Sequence, residues 1–228
     1  MMVKRILAID ATTEACSVAL YCDGNVDQIF ELAPRRHTEL ILPMVQTILA
    51  NSGTSMNQLD AIAVDQGPGS FTGVRITAGV AQGLAFAVEK PLIPISSLAA
   101  MAYAAHQELG TSSILATIDA RMSEIYWGLY SCSVDSVKLQ GEEKVDNIAQ
   151  IVNRVEHECV AVGTGIQTYL SDIETMPYIQ VDLRESLLYP KAESIAMLAS
   201  RTTESTDWIT PEKIEPVYLR NNIAQTIK

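Results

Sequence analysis

Apolar runs and helically spaced apolar residues alternate along the first third of the chain. The runs at residues 3–10 and 15–22 predict two strands joined by the polar turn ATTE, and Asp23-Gly24 predicts a hairpin into a third strand. Apolar residues at helical spacing then predict a helix over about 38–51, with Gly53 beyond its end. This order of elements indicates an α/β lobe that opens with a β-hairpin.

A glycine-rich stretch, DQGPGSFTGVRI at residues 65–76, lies between the next strand and the next helix. The apolar run 59–65 predicts a buried strand, and 72–88, which holds no proline, predicts a helix with Ser70 as its N-cap. Such a corner directs free backbone N–H groups and the positive helix end to one point, which suits a phosphate or a carboxylate. An ordinary, well-capped strand-to-helix turn is the alternative, and for a short glycine motif alone it is favoured.

A strand at 92–95 and an alanine-rich helix complete the first part, after which the opening pattern returns. A shift of 109 positions places Asp10 on Asp119, and both segments then follow the order strand, Asp-Ala, polar turn, strand. The repeat predicts two lobes, each opening with a β-hairpin whose turn follows an aspartate. We assign residues 1–106 to the N-terminal lobe and 107–228 to the C-terminal lobe, and leave open whether the last residues return to the first lobe.

Composition and charge narrow the class of protein. The chain has 228 residues, of which 48% are hydrophobic, as expected for one large globular domain or two small lobes. Its formal charge of −11 disfavours unaided nucleic-acid binding, because an acidic surface repels the phosphate backbone. We predict no signal peptide and no membrane span, since the apolar runs are too short. The four cysteines lack metal-ligand spacing and indicate a reducing compartment, so we expect a cytoplasmic protein.

Four motifs in this order carry a family resemblance: IDATTEACSVAL, QGPGSFTGVRI, DARMSEIYW and PVYLR. Over residues 7–220 the chain resembles the bacterial TsaB family of tRNA threonylcarbamoyladenosine biosynthesis proteins. The resemblance implies the two-lobed α/β fold of the actin, sugar-kinase and Hsp70 superfamily (RNase H-like), in which each lobe is a mixed sheet with helices packed on it.

The same resemblance implies a function. Members of the family are non-catalytic scaffolds and activators for modification of the adenosine next to the tRNA anticodon. They pair through their N-terminal lobes with the catalytic paralogue TsaD, and the small ATPase TsaE joins them. A homodimer is expected when the partner is absent, and tRNA is expected to be held mainly by the partner. The stoichiometry of the assembly and any tRNA contact of the second lobe stay open.

In that superfamily the turn after each aspartate holds ATP phosphates, and the first aspartate helps to hold the metal. Here the degenerate phosphate turn consists of Asp10, Thr12, Thr13, Gly67, Gly69, Ser70 and Arg75. The second lobe places Arg121 and Met122 where the first has hydroxyls, so a complete ATP cleft is not expected. Whether ATP or ADP with Mg²⁺ binds at the junction with partners stays open.

Two of these residues have structural alternatives. The Asp10 carboxylate could equally accept hydrogen bonds from N–H groups of its own turn. Arg75 could bind an anion at the glycine corner, although an ion pair with Asp65 or Glu89 is the favoured expectation.

The sequence offers no catalytic or metal-binding set. The catalytic paralogue family is known for a helical His-x-x-x-His metal pair, whereas His37 is followed four places later by Ile41. Ser70 lacks the G-x-S-x-G pattern and has no histidine nearby in sequence. We therefore predict no catalytic residue, no metal ligand and no enzyme activity. The alternative is an ATP-dependent small-molecule kinase or ATPase that uses Asp10 and the glycine corner, and a peptidase has the least support.

The 72–88 helix carries small or apolar residues on almost every side. A helix that lies on a sheet needs only one apolar stripe, so its far side must be covered as well. Either this helix and the 38–51 helix cover each other, or they present a patch to another protein. The resemblance implies a partner interface, for which the candidate residues are Leu40, Met44, Thr47, Gly73, Thr77, Val80, Ala81 and Leu84.

Overall fold

Two β-sheets, one from each half of the chain, organise the computed structural model, which describes residues 4–151, 154–173, 176–202 and 207–220. The first sheet has five strands in the spatial order β3-β2-β1-β4-β5. Its strands are β1 Arg5–Asp10, β2 Ala15–Cys22, β3 Asn25–Leu32, β4 Ala61–Asp65 and β5 Leu92–Ile95.

The second sheet has six strands and repeats the plan of the first, in the order β8-β7-β6-β10-β11, with β9 paired to β7. Its strands are β6 Ser113–Arg121, β7 Glu124–Ser133, β8 Ser136–Leu139, β9 Lys144–Asn147, β10 Cys159–Val162 and β11 Ile179–Val181. In both sheets the central strand is antiparallel to its hairpin partner and parallel to its other neighbour. The duplication predicted from the shifted hairpins is therefore confirmed, as are the α/β class and the mixed sheets.

The first two helices match their sequence patterns to within a residue. α1 is His37–Ser52, and Gly53 ends it in the left-handed conformation. α2 is Phe71–Val88, and the Ser70 side chain accepts a hydrogen bond from the Gly73 N–H at 3.0 Å, so the predicted N-cap is confirmed.

The strand before the glycine corner is shorter than its apolar run. It begins at Ala61 rather than at residue 59, because Met56–Gln58 forms a 3-10 turn. A reciprocal capping box between Ser55 and Gln58 stabilises that turn.

Helices cover both faces of the first sheet. α1 and α2 pack on one face, where Ile9, Val64, Ile48 and Ala81 share one core. α7 (Ala192–Ser200) packs on the opposite face against alternate residues of the same strands. The first sheet is therefore buried on both sides, which explains its nearly continuous apolar strands.

One long helix joins the two halves. α3 (Ser97–Leu109) places Ala100 in the core of the first sheet, while Leu98 and Met101 lie in the core of the second. The remaining face of the second sheet packs against three short helices: α4 Ile148–Ile151, α5 Thr164–Thr168 and α6 Leu170–Ile173. A division of the chain at residue 106 falls inside α3, and α7 returns from the second half to the first sheet.

α2 is long and apolar enough to cross a bilayer by length and composition alone. In the fold, however, one side of it packs on the first sheet through Val74, Ala81 and Ala85, all nearly or fully inaccessible. Core helices of globular proteins satisfy the same criterion, and this packing accounts for the apolar residues on one side of α2.

Candidate functional site

Hydrogen bonds between its own residues hold the turn after β1. The Thr12 N–H and the Thr12 hydroxyl both donate to Asp10 Oδ1 at 2.9 Å. Asp10 and Thr12 are fully buried and Thr13 is nearly so. The Asp10 carboxylate thus accepts donors of its own turn, which is the structural alternative considered for it.

A second aspartate, Asp65 at the end of β4, completes this buried cluster. Its Oδ1 accepts from the Ser97 hydroxyl at 2.5 Å and from the Gly67 N–H at 2.8 Å, and its Oδ2 accepts from the Thr12 hydroxyl at 3.2 Å. Sequence reasoning placed Asp65 only in an ion pair. Its position next to Asp10 follows from the strand order: β1 and β4 are parallel neighbours, so their carboxyl ends lie side by side.

Burial shapes the protonation of this aspartate pair. Desolvation raises the pKa of Asp10 to about 6, although hydrogen bonds from Thr12 oppose the shift. Desolvation and then the negative charge of Asp10 raise the pKa of Asp65 well above its usual range. Both carboxyl groups therefore hold a proton more readily than an exposed aspartate does.

The glycine corner packs against the first turn. The Ser70 N–H donates to the Thr12 carbonyl at 2.7 Å. A Cβ atom on Gly69 would overlap the carbonyl oxygen of Thr12, and one on Gly73 would overlap that of Ala11. The glycines are thus required for close backbone approach within the lobe, and the strand-to-helix turn needs no ligand to explain it.

Three residues in the turn of the second hairpin adopt an unfavourable left-handed backbone conformation. Arg121, Met122 and Ser123 have φ angles of 62°, 57° and 62°, although none of them is glycine. A left-handed conformation costs an L-residue roughly 1–2 kcal/mol. The Arg121 side chain binds Asp119 at 2.8 Å in its own lobe and Glu14 at 2.6 Å in the first lobe. Arg121 therefore bridges the two lobes across the cleft between the two turns.

The cleft between the two turns is small and contains both signs of charge. Its cavity of about 280 Å³ is lined by residues of both turns together with Tyr218 and Arg220 from the C-terminal segment. The Thr12 hydroxyl is already bonded to carboxylates, and Glu14 and Asp119 would repel phosphates. The residues present do not fit ATP with Mg²⁺ in this cleft.

Arg75 lies on the surface next to the glycine corner. Its guanidinium carbon is 3.3 Å from the Phe71 ring centroid and 4.8 Å from that of Tyr218. Its Nη1 donates to the Phe71 carbonyl at 2.9 Å. The expected ion pair with Asp65 or Glu89 is wrong, because Asp65 is buried in the aspartate cluster and Glu89 follows the opposite end of α2.

The interface candidates divide into two groups. Met44, Gly73, Thr77 and Ala81 are buried in the core of their own lobe, and Thr77 is bonded there to the Ala11 N–H. Their expected place on an outer patch is therefore wrong, because Met44 of α1 and this row of α2 face the core of the lobe. Thr47 is exposed. The rest of the set is partly buried: Leu40, Val80 and Leu84. The outer side of α2 exposes a different set, namely Gly79, Gly83, Phe86 and Ala87.

No cluster of three or more His, Cys, Asp or Glu side chains suited to a metal ion occurs within residues 4–151, 154–173, 176–202 and 207–220. His37 itself is largely buried at the start of α1.

Comparison with known proteins identifies the relatives of this arrangement. Residues 29–226 match the family model described as TsaD, tRNA N6-adenosine threonylcarbamoyltransferase. The tRNA threonylcarbamoyladenosine biosynthesis protein TsaB of Escherichia coli (strain K12) is 46% identical, over 96% of each chain. TsaB of Haemophilus influenzae is 40% identical, over 96% of this chain and 94% of that protein.

A solved structure agrees with these sequence relatives. The Pseudomonas aeruginosa protein described as YeaZ has a TM-score of 0.84 and 38% identity, over 95% of this chain and all of the other. The chain therefore belongs to the TsaB family of tRNA threonylcarbamoyladenosine biosynthesis proteins.

Proposed function

We propose that this chain is the non-catalytic subunit that holds and activates the TsaD-type enzyme during tRNA threonylcarbamoyladenosine formation. The chain belongs to the TsaB family, whose members act in this biosynthesis. In its specific form, the proposal is that the chain pairs with TsaD, associates with the ATPase TsaE and acts in the cytoplasm. A homodimer forms when TsaD is absent.

The outer side of α2 carries this proposal. Over 18 residues the helix has one charged side chain, Arg75, near its first turn. Gly79 and Gly83 are exposed, and a Cβ atom built on either would meet nothing within 4 Å. Phe86 beside them is 48% exposed, and Leu42 on α1 is 45% exposed. An uncharged surface with exposed glycines allows the backbone of a partner helix to approach closely.

The first-turn geometry supports the non-catalytic part of the proposal. The buried aspartates are bonded within the turn, and Arg121 and Glu14 span the cleft. The Arg121–Glu14 pair thus occupies the cleft between the two turns, which disfavours a nucleotide there. The net charge of −11 also agrees with tRNA being held mainly by the partner.

Size-exclusion chromatography with light scattering tests the pairing, with this chain alone and mixed with TsaD from the same source. We expect a heterodimer mass in the mixture and the loss of the homodimer. Gly83→Arg should abolish both complexes, because the long side chain projects from the proposed face while the helix tolerates it. Gln107→Arg, on exposed α3 surface, is the matched control and should pair normally.

Three results would overturn the proposal. Separate elution of this chain and TsaD would remove its physical basis. Normal pairing by Gly83→Arg would show that the outer side of α2 is not the interface. ATP turnover by the purified chain above background would return the kinase or ATPase hypothesis to first place.

A further inference from the structure

The C-terminal segment, residues 214–220, crosses from one lobe to the other without forming a helix or a strand. Just before it, Ile209 exchanges two backbone hydrogen bonds of 2.9 Å with Leu92 on β5. The Val217 N–H then donates to the Gln66 carbonyl at 2.8 Å, next to the glycine corner. The first lobe therefore holds the segment as far as residue 217.

Three residues later the segment is bound to the second lobe. Arg220 Nη2 donates to the Ala120 carbonyl at 3.0 Å and to the Arg121 carbonyl at 3.4 Å, and it is paired with the Glu124 carboxylate. Only 22% of the Arg220 side chain is exposed. These charge-assisted bonds are the stronger class of hydrogen bond and are shielded from water.

The length of the connection limits movement of the lobes. Three residues span at most about 11 Å when fully extended. While both attachments hold, the two turns cannot separate beyond that backbone length plus the Arg220 side chain. The Arg121–Glu14 ion pair is a second connection across the same cleft.

Arg220 binds the turn of the second hairpin, whose backbone has the unfavourable left-handed conformation. Its carbonyl acceptors are at Ala120 and Arg121, and Arg121 begins the run of three left-handed residues. Non-glycine residues keep such a conformation only where surrounding contacts over-determine it. One of those contacts comes from a segment that is anchored on the other lobe.

We propose that residues 214–220 form an internal latch that holds the two lobes at one fixed opening, with Arg220 as the residue that fastens it. The latch occupies one wall of the interlobe cleft, so it also keeps the cleft too small for a nucleotide. A two-lobed fold whose relatives include enzymes thus behaves here as a single rigid body. The inference does not depend on the identity of any partner.

Hydrogen–deuterium exchange of the full chain, read by mass spectrometry, tests the latch. In Arg220→Ala we expect the amides of residues 121–125 to exchange about ten- to hundredfold faster, the factor expected for losing charge-assisted bonds. Arg220→Lys keeps the charge without the forked geometry and should give a smaller increase. Arg184→Ala removes a second-lobe arginine that pairs with Glu108 at the end of α3 and with Asp182 next to β11, and should leave these amides unchanged.

A second variant separates a latch from a local brace. Val217→Pro deletes the N–H donor to Gln66 on the first lobe and leaves Arg220 in place. A latch requires that this change also speed exchange at residues 121–125, although they lie in the other lobe. Unchanged exchange there in Val217→Pro, or in Arg220→Ala, would overturn the proposal.

Discussion

The buried aspartate pair predicts an unusual dependence of stability on pH. The side chains of Asp10 and Asp65 usually titrate near 3.8, which we take as their value in the unfolded chain. In the folded protein burial raises the pKa of Asp10 to about 6 and raises that of Asp65 well above its usual range. The folded state therefore retains protons that the unfolded state releases.

The sign of the effect follows from this difference. Because the folded pKa values are raised, the full stability is present below about pH 3.8 and is lost as the pH rises towards the folded values. Each extra proton in the folded state lowers the free energy of unfolding by about 1.4 kcal/mol per pH unit. Between about pH 4 and 6 the proton retained by Asp10 alone lowers it by about 3 kcal/mol, and the raised pKa of Asp65 acts in the same direction.

Asp65→Asn isolates this contribution. The amide oxygen can still accept from Ser97 and Gly67, and the amide nitrogen can donate towards Asp10. We expect the free energy of unfolding at pH 7 to rise, and its fall between pH 5 and 7 to become shallower by at most about 1.4 kcal/mol per unit.

Urea unfolding at pH 5, 6 and 7, followed by tryptophan fluorescence, measures both quantities. Asp135→Asn, at an exposed position, removes a charge without touching the pair and serves as the control. A slope in Asp65→Asn equal to that of the parent would show that the pKa of Asp65 is not raised in the folded protein. So would a loss of stability in this variant at every pH.

Two further substitutions test the packing. Gly73→Ala should lower the free energy of unfolding by about 1–3 kcal/mol, because its Cβ atom would overlap the Ala11 carbonyl, whereas Gly79→Ala should raise it by about 1 kcal/mol because nothing lies near its Cβ. Similar urea midpoints for this pair would contradict the orientation of α2. Ser123→Gly should raise the melting temperature, since glycine adopts φ near 62° without the roughly 1–2 kcal/mol penalty of serine. A lower melting temperature would show that the turn is not strained.

The sequence pattern distinguishes buried from exposed positions less well on α2 than on α1. α1 has a broad apolar stripe, from which Ile41 and Val45 were identifiable as buried, whereas Met44 and Ile48 were assigned to a second face and are buried as well. α2 is small or apolar all round, so its spacing does not distinguish the row through Gly73 and Ala81 from the row through Gly79 and Gly83. Contact with the first turn, which is distant in sequence, decides which row is buried.

The sequence by itself determined the local elements of this protein: the duplicated hairpin, the glycine corner with its Ser70 cap, and the bounds of α1 and α2. These features depend on neighbouring residues, through side-chain period, backbone conformation and capping. Only the tertiary structure decided that Asp10 meets Asp65, that α7 covers the first sheet, and that Arg220 fastens the second hairpin. Those contacts join residues far apart in the chain, and strand order rather than local propensity brings them together.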